Sequence, residues 1–206
     1  MKKLLVTGIF AAVTVLAAQV ASAISFSYGS TPSGTSTLTF DDLTPGSTGT
    51  FNYGAVTVNV TPNGQVAQIP DLSGVYAAPF GDSTPYLSTG TSEVSISFGS
   101  AQNYVGLLWG SVDNYNTLEF WSNGVFLGAV TGVDILNPAN GNQGVAGTKY
   151  ANIFTDVSFD TIVAKSSQFA FEFDNVTYRT PDGGTTAALL GATVAGIAFF
   201  RRKFAR

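Results

Sequence analysis

A chain of 206 residues with no histidine, no cysteine and a formal net charge of −4 rules out several chemistries at once. Ser-His-Asp and Cys-His catalysis, ordinary zinc centres and a disulfide framework all need a residue type that is missing. The charge is also unevenly spread, with Lys149, Lys165 and Arg179 the only cations between residues 24 and 179, against carboxylates running from Asp41 to Asp174. Nucleic-acid phosphates are held by Lys and Arg, so no nucleic-acid partner is expected, and a divalent cation or a neutral sugar suits the charge better.

Residues 1–23 read as a secretory signal peptide. Lys2 and Lys3 open it, residues 4–18 are apolar, and Ala21-Ser22-Ala23 forms a small-residue cleavage site. A first membrane helix is the alternative, and the small-residue ending argues against it. The expected partners are a Sec-type export machinery and signal peptidase.

Residues 24–179 have the size of one domain and read as all-β. Val56-Thr57-Val58-Asn59-Val60, Val94-Ser95-Ile96-Ser97-Phe98 and Phe169-Ala170-Phe171-Glu172-Phe173 alternate with period two, as half-buried strands do. Leu118-Glu119-Phe120-Trp121 and Val125-Phe126-Leu127 flank Asn123-Gly124, a strong hairpin signal. Roughly eight to ten short strands, with no helical periodicity outside the termini, predict a single jelly-roll-like antiparallel β-sandwich. A parallel β-helix is the rival, but nothing recurs at a fixed spacing. Residues 62–90, with Pro62, Pro70, Pro79 and Pro85, are expected to form a long ordered loop that packs down through Val75, Tyr76, Phe80, Tyr86 and Leu87. Residues 134–149, rich in Asn and Gly, are expected to form a mobile edge or tip.

Two phase slips interrupt the alternation. Apolar positions are even through Leu38 and Phe40, then Asp41-Asp42 intervene before Leu43. They are odd through Phe169, Phe171 and Phe173, then Asp174-Asn175 intervene before Val176 and Tyr178. Each slip requires a bulge, a bend or a strand end. First and last strands of jelly rolls commonly lie side by side, so Asp41, Asp42, Asp174 and Asn175 are a candidate set of hard oxygen ligands for Ca2+. The competing reading is that Asp and Asn simply suit irregular backbone.

Three further readings bear on function. Asp113 and Glu119 are the candidate pair for a glycoside hydrolase, although a turn position and a strand-surface position explain both without catalysis. Trp109, Tyr115, Trp121 and Tyr86, near Asp82, Asp113 and Asn116, combine flat aromatic faces with amide and carboxylate groups, as sugar-binding sites do. Core packing competes for the same aromatics. Trp109 keeps phase with Leu107 and is expected inside, whereas Trp121 is out of phase with Leu118 and Phe120 and is expected to be more exposed. The third reading is an interaction or matrix protein without a small ligand, preferred here for a Ser-, Thr-, Gly- and Asn-rich exported domain.

The chain closes on a break at Pro181-Asp182-Gly183-Gly184, an uncharged apolar run over about 185–200, and a basic cluster of Arg201, Arg202, Lys203 and Arg206. The apolar run leaves no polar face for an amphipathic helix, so a transmembrane helix is expected, with the basic end as a cytoplasmic stop. This order of break, span and basic cluster resembles the PEP-CTERM class of sorting signals in a Pro-Asp-Gly-Gly variant, over residues 180–206. Pro181 and Asp182 match the first two motif positions, and Gly183 stands where the commonest form has a second Pro. The resemblance implies a substrate of an exosortase, a bacterial membrane enzyme that removes such tails. It also implies a link to exopolysaccharide production. The protein would then be an inner-membrane-tethered intermediate before reaching the outer surface or the extracellular matrix.

The body resembles exported proteins of the same class, by Ala78-Pro79-Phe80-Gly81-Asp82-Ser83-Thr84-Pro85-Tyr86-Leu87 and Gly106-Leu107-Leu108-Trp109-Gly110-Ser111-Val112-Asp113-Asn114-Tyr115-Asn116-Thr117. That second resemblance implies a surface domain and supplies no catalytic residues.

Overall fold

Short runs of Val, Thr, Phe and Tyr punctuated by Gly, Asn and Pro become eleven strands in the computed structural model, which describes residues 24–179 except 32 and 34. In chain order these are β1 Phe26–Tyr28, β2 Ser36–Leu38, β3 Gly49–Tyr53, β4 Val56–Val60, β5 Gln65–Ala67, β6 Tyr86–Ser88, β7 Glu93–Gly110, β8 Asn116–Ser122 and β9 Val125–Thr131. One helical turn, α1 Gly132–Ile135, precedes β10 Lys149–Ser166 and β11 Glu172–Arg179. The signal peptide expected over 1–23 and the tail expected over 180–206 lie outside the described residues. Among the described residues no helix is long and apolar enough to cross a membrane.

The architecture follows from β7 and β10, each 18 residues long and paired antiparallel along most of their length. Their register breaks midway, where Phe154 opposite Tyr104 gives way to Phe159 opposite Gln102 and then to Thr161 opposite Ser97. On one side of this break, β7 carries β4 and β3, while β10 carries β8 and β9. On the other side, β7 carries β11, which is flanked by β2 and β6 with β5 beyond, and β10 carries β1. The result is an all-β antiparallel sandwich made from one continuous hydrogen-bonded sheet folded over two long strands. Rings from opposite halves meet inside it, Phe26 against Phe120 at 5.1 Å between centroids and Phe98 against Tyr178 at 5.0 Å.

Positive-φ residues explain local geometry at two places. Gly99, at φ +68 where β7 begins to bend, approaches the neighbouring chain so closely that a Cβ would lie 2.4 Å from the Ala55 carbonyl oxygen. Asn123 (φ 49) and Gly124 (φ 75) link β8 to β9, and both left-handed positions of a type I′ hairpin turn are filled as expected.

The alternation holds well in β4, where Val56, Val58 and Val60 are buried, and in the first half of β7. It fails at the chain's end. Phe169 is 47% exposed and outside any strand, while Phe171, Glu172, Phe173 and Asp174 are all buried. The strand starts at Glu172, and the long 62–90 segment covers the face that would otherwise be polar and solvated. That segment contains β5 and β6, and it buries Ala77, Tyr86 and Leu87 while leaving Phe80 exposed. Residues 134–149 are tied to the end of β7 by main-chain hydrogen bonds, Val112 N–H to Gly147 oxygen at 2.9 Å and Gly141 N–H to Val112 oxygen at 3.1 Å.

Candidate functional site

Both phase slips are real irregularities, and they lie on neighbouring strands. Asp41 and Asp42 form the turn after β2, closed by the Leu43 N–H donating to the Phe40 oxygen at 3.0 Å. On β11 the register with β7 shifts between Asp174 and Thr177, and Asn175 adopts φ 51. Leu38 of β2 faces Val176 of β11, which brings the two slips to the same part of the sandwich.

The side chains there behave differently. Asp41 and Asp42 are exposed, and Asp42 Oδ1 accepts a hydrogen bond from the Tyr53 hydroxyl at 3.2 Å. Asp174 is fully buried, and its Oδ2 accepts from Asn175 Nδ2 at 3.0 Å, so Asn175 turns its nitrogen rather than its oxygen toward Asp174. Asp82 reaches the same place from the 62–90 segment. Its Oδ1 accepts from the Thr84 N–H at 3.0 Å and the Thr84 hydroxyl at 2.9 Å, and its carboxyl interacts with that of Asp174. Burial pushes the Asp174 carboxyl up to about 8, against a lowering by the Asn175 main chain, and like charge on Asp82 and Asp41 raises it further. Among the described residues no group of three His, Cys, Asp or Glu side chains is placed to hold a metal ion.

A second polar cluster surrounds Glu172. Its Oε1 accepts from the Ala77 N–H at 3.0 Å and its Oε2 from the Ser111 hydroxyl at 2.7 Å, which pins the 62–90 segment to β11 and β7. Burial raises this carboxyl to about 7, even though both hydrogen bonds oppose the shift, and Asp113 adds repulsion. Tyr76, Ser111, Asp113, Tyr115, Phe169 and Glu172 border a cavity of about 100 Å3. Burial also raises Asp113, partly offset by the Tyr115 hydroxyl, which donates to the Phe169 carbonyl at 3.1 Å as well.

Most residues nominated for sugar binding have structural duties. Trp109 and Tyr86 are fully buried, and Trp109 stacks on Phe171 with centroids 4.1 Å apart and planes 16° apart. Asn116 is buried too. Its Oδ1 accepts from the Asp113 N–H at 3.0 Å, and its Nδ2 donates to Ser166 Oγ at 3.2 Å and the Ala170 oxygen at 3.0 Å. Asp82 is engaged with Thr84 and Asp174. Tyr115 and Trp121 remain partly exposed, and Trp121 lies edge-on to the exposed Phe126 at 5.3 Å.

The candidate acid pair Asp113 and Glu119 is split between two cavities. Glu119 lines an open groove of about 600 Å3 with Glu93, Tyr115 and Lys165, where its Oε2 binds Lys165 Nζ at 2.9 Å and accepts from Trp121 Nε1 at 3.0 Å. Glu172 and Ser111 are the polar residues that sequence reasoning missed. Strict alternation placed Glu172 on a wet face, and only the long-range cover of residues 62–90 makes that face dry.

Fold and sites together define an acidic antiparallel β-sandwich with two buried carboxylate clusters. Beyond it, residues 181–204 match the family model described as the VPDSG-CTERM motif, a sorting signal related to PEP-CTERM. The match begins at Pro181, the first residue of the Pro-Asp-Gly-Gly break. A tail of this kind marks an exported protein, tethered at the membrane and sorted to the surface by a dedicated export machinery. No curated protein matches the chain.

Proposed function

We propose that the chain is a non-catalytic component of the bacterial cell surface or exopolysaccharide (biofilm) matrix, delivered through its C-terminal signal. The sorting-signal match at residues 181–204 carries this reading. In it, Pro181, Asp182, Gly183 and Gly184 are the element recognised by an exosortase. The apolar run over about 185–200 holds the chain in the membrane, and Arg201, Arg202 and Lys203 stop its transfer.

The absence of catalysis is supported by the state of the carboxylates. Both Glu172 oxygens are already engaged, and the adjoining cavity of about 100 Å3 is smaller than the ~300 Å3 at which ligand pockets begin. Glu119 is neutralised by Lys165. The Trp121–Phe126 edge, with Tyr115 beside the open groove, favours a second reading as a carbohydrate-binding module.

Deleting the gene is expected to reduce surface attachment and alter matrix composition, while the purified protein passes unretained over immobilised exopolysaccharide. Unchanged attachment and matrix in the deletion strain would overturn the matrix reading. Retention that is lost in Trp121→Ala would establish the carbohydrate-binding one.

A further inference from the structure

Asp174 and Asp82 bring two carboxyl groups together in the interior. Asp174 is fully buried, and its Oδ1 has no hydrogen-bond partner. Asp82 Oδ2 is likewise buried and unpartnered. Each carboxylate is anchored through its other oxygen, Asp174 Oδ2 by Asn175 and Asp82 Oδ1 by Thr84. The two carboxyls lie close enough to share a hydrogen bond when Asp174 carries its proton, and with both ionised nothing in the chain offsets their charge. Ionising both members of a buried carboxyl pair without a counter-charge is strongly destabilising, so the pair is held by a proton or by a cation. The chain supplies no cation here: among the described residues neither Asp82 nor Asp174 forms an ion pair, and Lys165 is shared between Glu93 and Glu119.

We propose that Asp82 and Asp174 form a Ca2+ site that clamps the 62–90 segment to the bulge on β11. The orientation matches that of metal ligands, in which one carboxylate oxygen is fixed by a neighbouring donor and the other is presented to the ion. Oxygen-only ligands on irregular backbone suit Ca2+, which accepts six to eight oxygens in flexible geometry, better than Mg2+, which demands a near-ideal octahedron. Two carboxylates do not complete such a shell, so main-chain oxygens and water supply the rest. Asp41, on the adjacent turn, contributes long-range negative charge. The ligand pair thus differs from the set nominated by the phase slips: Asp174 stays, Asp82 is added, and Asn175 becomes the donor that orients Asp174.

The test uses the full chain purified in mild detergent and stripped with chelator, then melted with CaCl2, with MgCl2 or with neither. At free Ca2+ about a hundredfold above its Kd, Tm is expected to rise by about 5 °C or more. Proteolytic cleavage within residues 68–85 should slow in parallel, since the clamp holds that segment. Asp174→Asn and Asp82→Asn should each abolish both responses. Each is close to isosteric and removes like charge from the pair, so the variants remain folded. A wild-type Tm and cleavage rate indifferent to Ca2+ would show that the pair holds only a shared proton. That result, an equal response to Mg2+, or a Ca2+ response that survives in both variants would overturn the proposal.

Discussion

Trp109→Ala is expected to lower folding stability by about 3–5 kcal/mol, the range for removing a buried large aromatic. Trp109 is fully buried and stacks on Phe171, and Phe171 in turn meets Phe173 edge-on at 5.4 Å. The deletion therefore opens a cavity in the middle of an aromatic file rather than at its rim. For a fold whose total stability is of the order of 5–15 kcal/mol, this is a large fraction. Chemical denaturation monitored by circular dichroism measures it as a drop in the midpoint without a matching change in slope. Trp121→Ala is the control. Trp121 is partly exposed on β8, and its loss is expected to cost less than half as much. Equal effects of the two substitutions would contradict the division into one core and one surface tryptophan.

Glu172→Gln is expected to change how stability depends on pH, with little effect at acid pH. Burial raises the folded-state carboxyl from 4.5 to about 7. Between those two values the folded chain keeps a proton that the unfolded chain has released, so stability is greatest below about pH 4.5 and falls as pH rises through about 7. Each tenfold gain in proton affinity on folding corresponds to about 1.4 kcal/mol, so the loss from this group is about 3 kcal/mol. A glutamine has no charge to bury. Its oxygen can accept from the Ala77 N–H while its nitrogen donates to the Ser111 oxygen, so both native contacts survive. The variant should match the parent near pH 4 and exceed it by about 2–3 kcal/mol near pH 8.5 in chelator-containing buffer. The groups facing this position, Asp113 and the Tyr115 hydroxyl, keep whatever slope is theirs. Parallel pH profiles for the two proteins would contradict a buried, protonated Glu172.

Features set by neighbours in the chain are readable in the sequence itself. The valines of β4, the Asn123-Gly124 turn and the inward phase of Trp109 with Leu107 each depend on a few adjacent residues and on strict side-chain alternation. The slip at Asp174-Asn175 announces an irregularity, and the register shift there supplies it. What depends on distant segments is not readable. Nothing local to Glu172 says that residues 62–90 will cover it, and nothing near Asp82 says that its carboxylate will meet Asp174. The Pro-rich surroundings of Tyr86 look like loop, yet they lay a fully buried strand beside β11. The fold-over of β7 and β10 is likewise a property of two strands pairing along most of their length, which no single window of sequence contains.

Delivery to the cell surface through the C-terminal tail is the central claim, and intact-mass spectrometry of the protein recovered from the surface and the medium tests it most directly. Compared between the parent strain and one lacking the tail-processing enzyme, the mature form is expected to begin at Ile24 and to lack the apolar run and the basic cluster. The longer form should accumulate in the membrane when processing is blocked. A mature protein that still ends at Arg206 and stays in the inner membrane of the parent strain would contradict it.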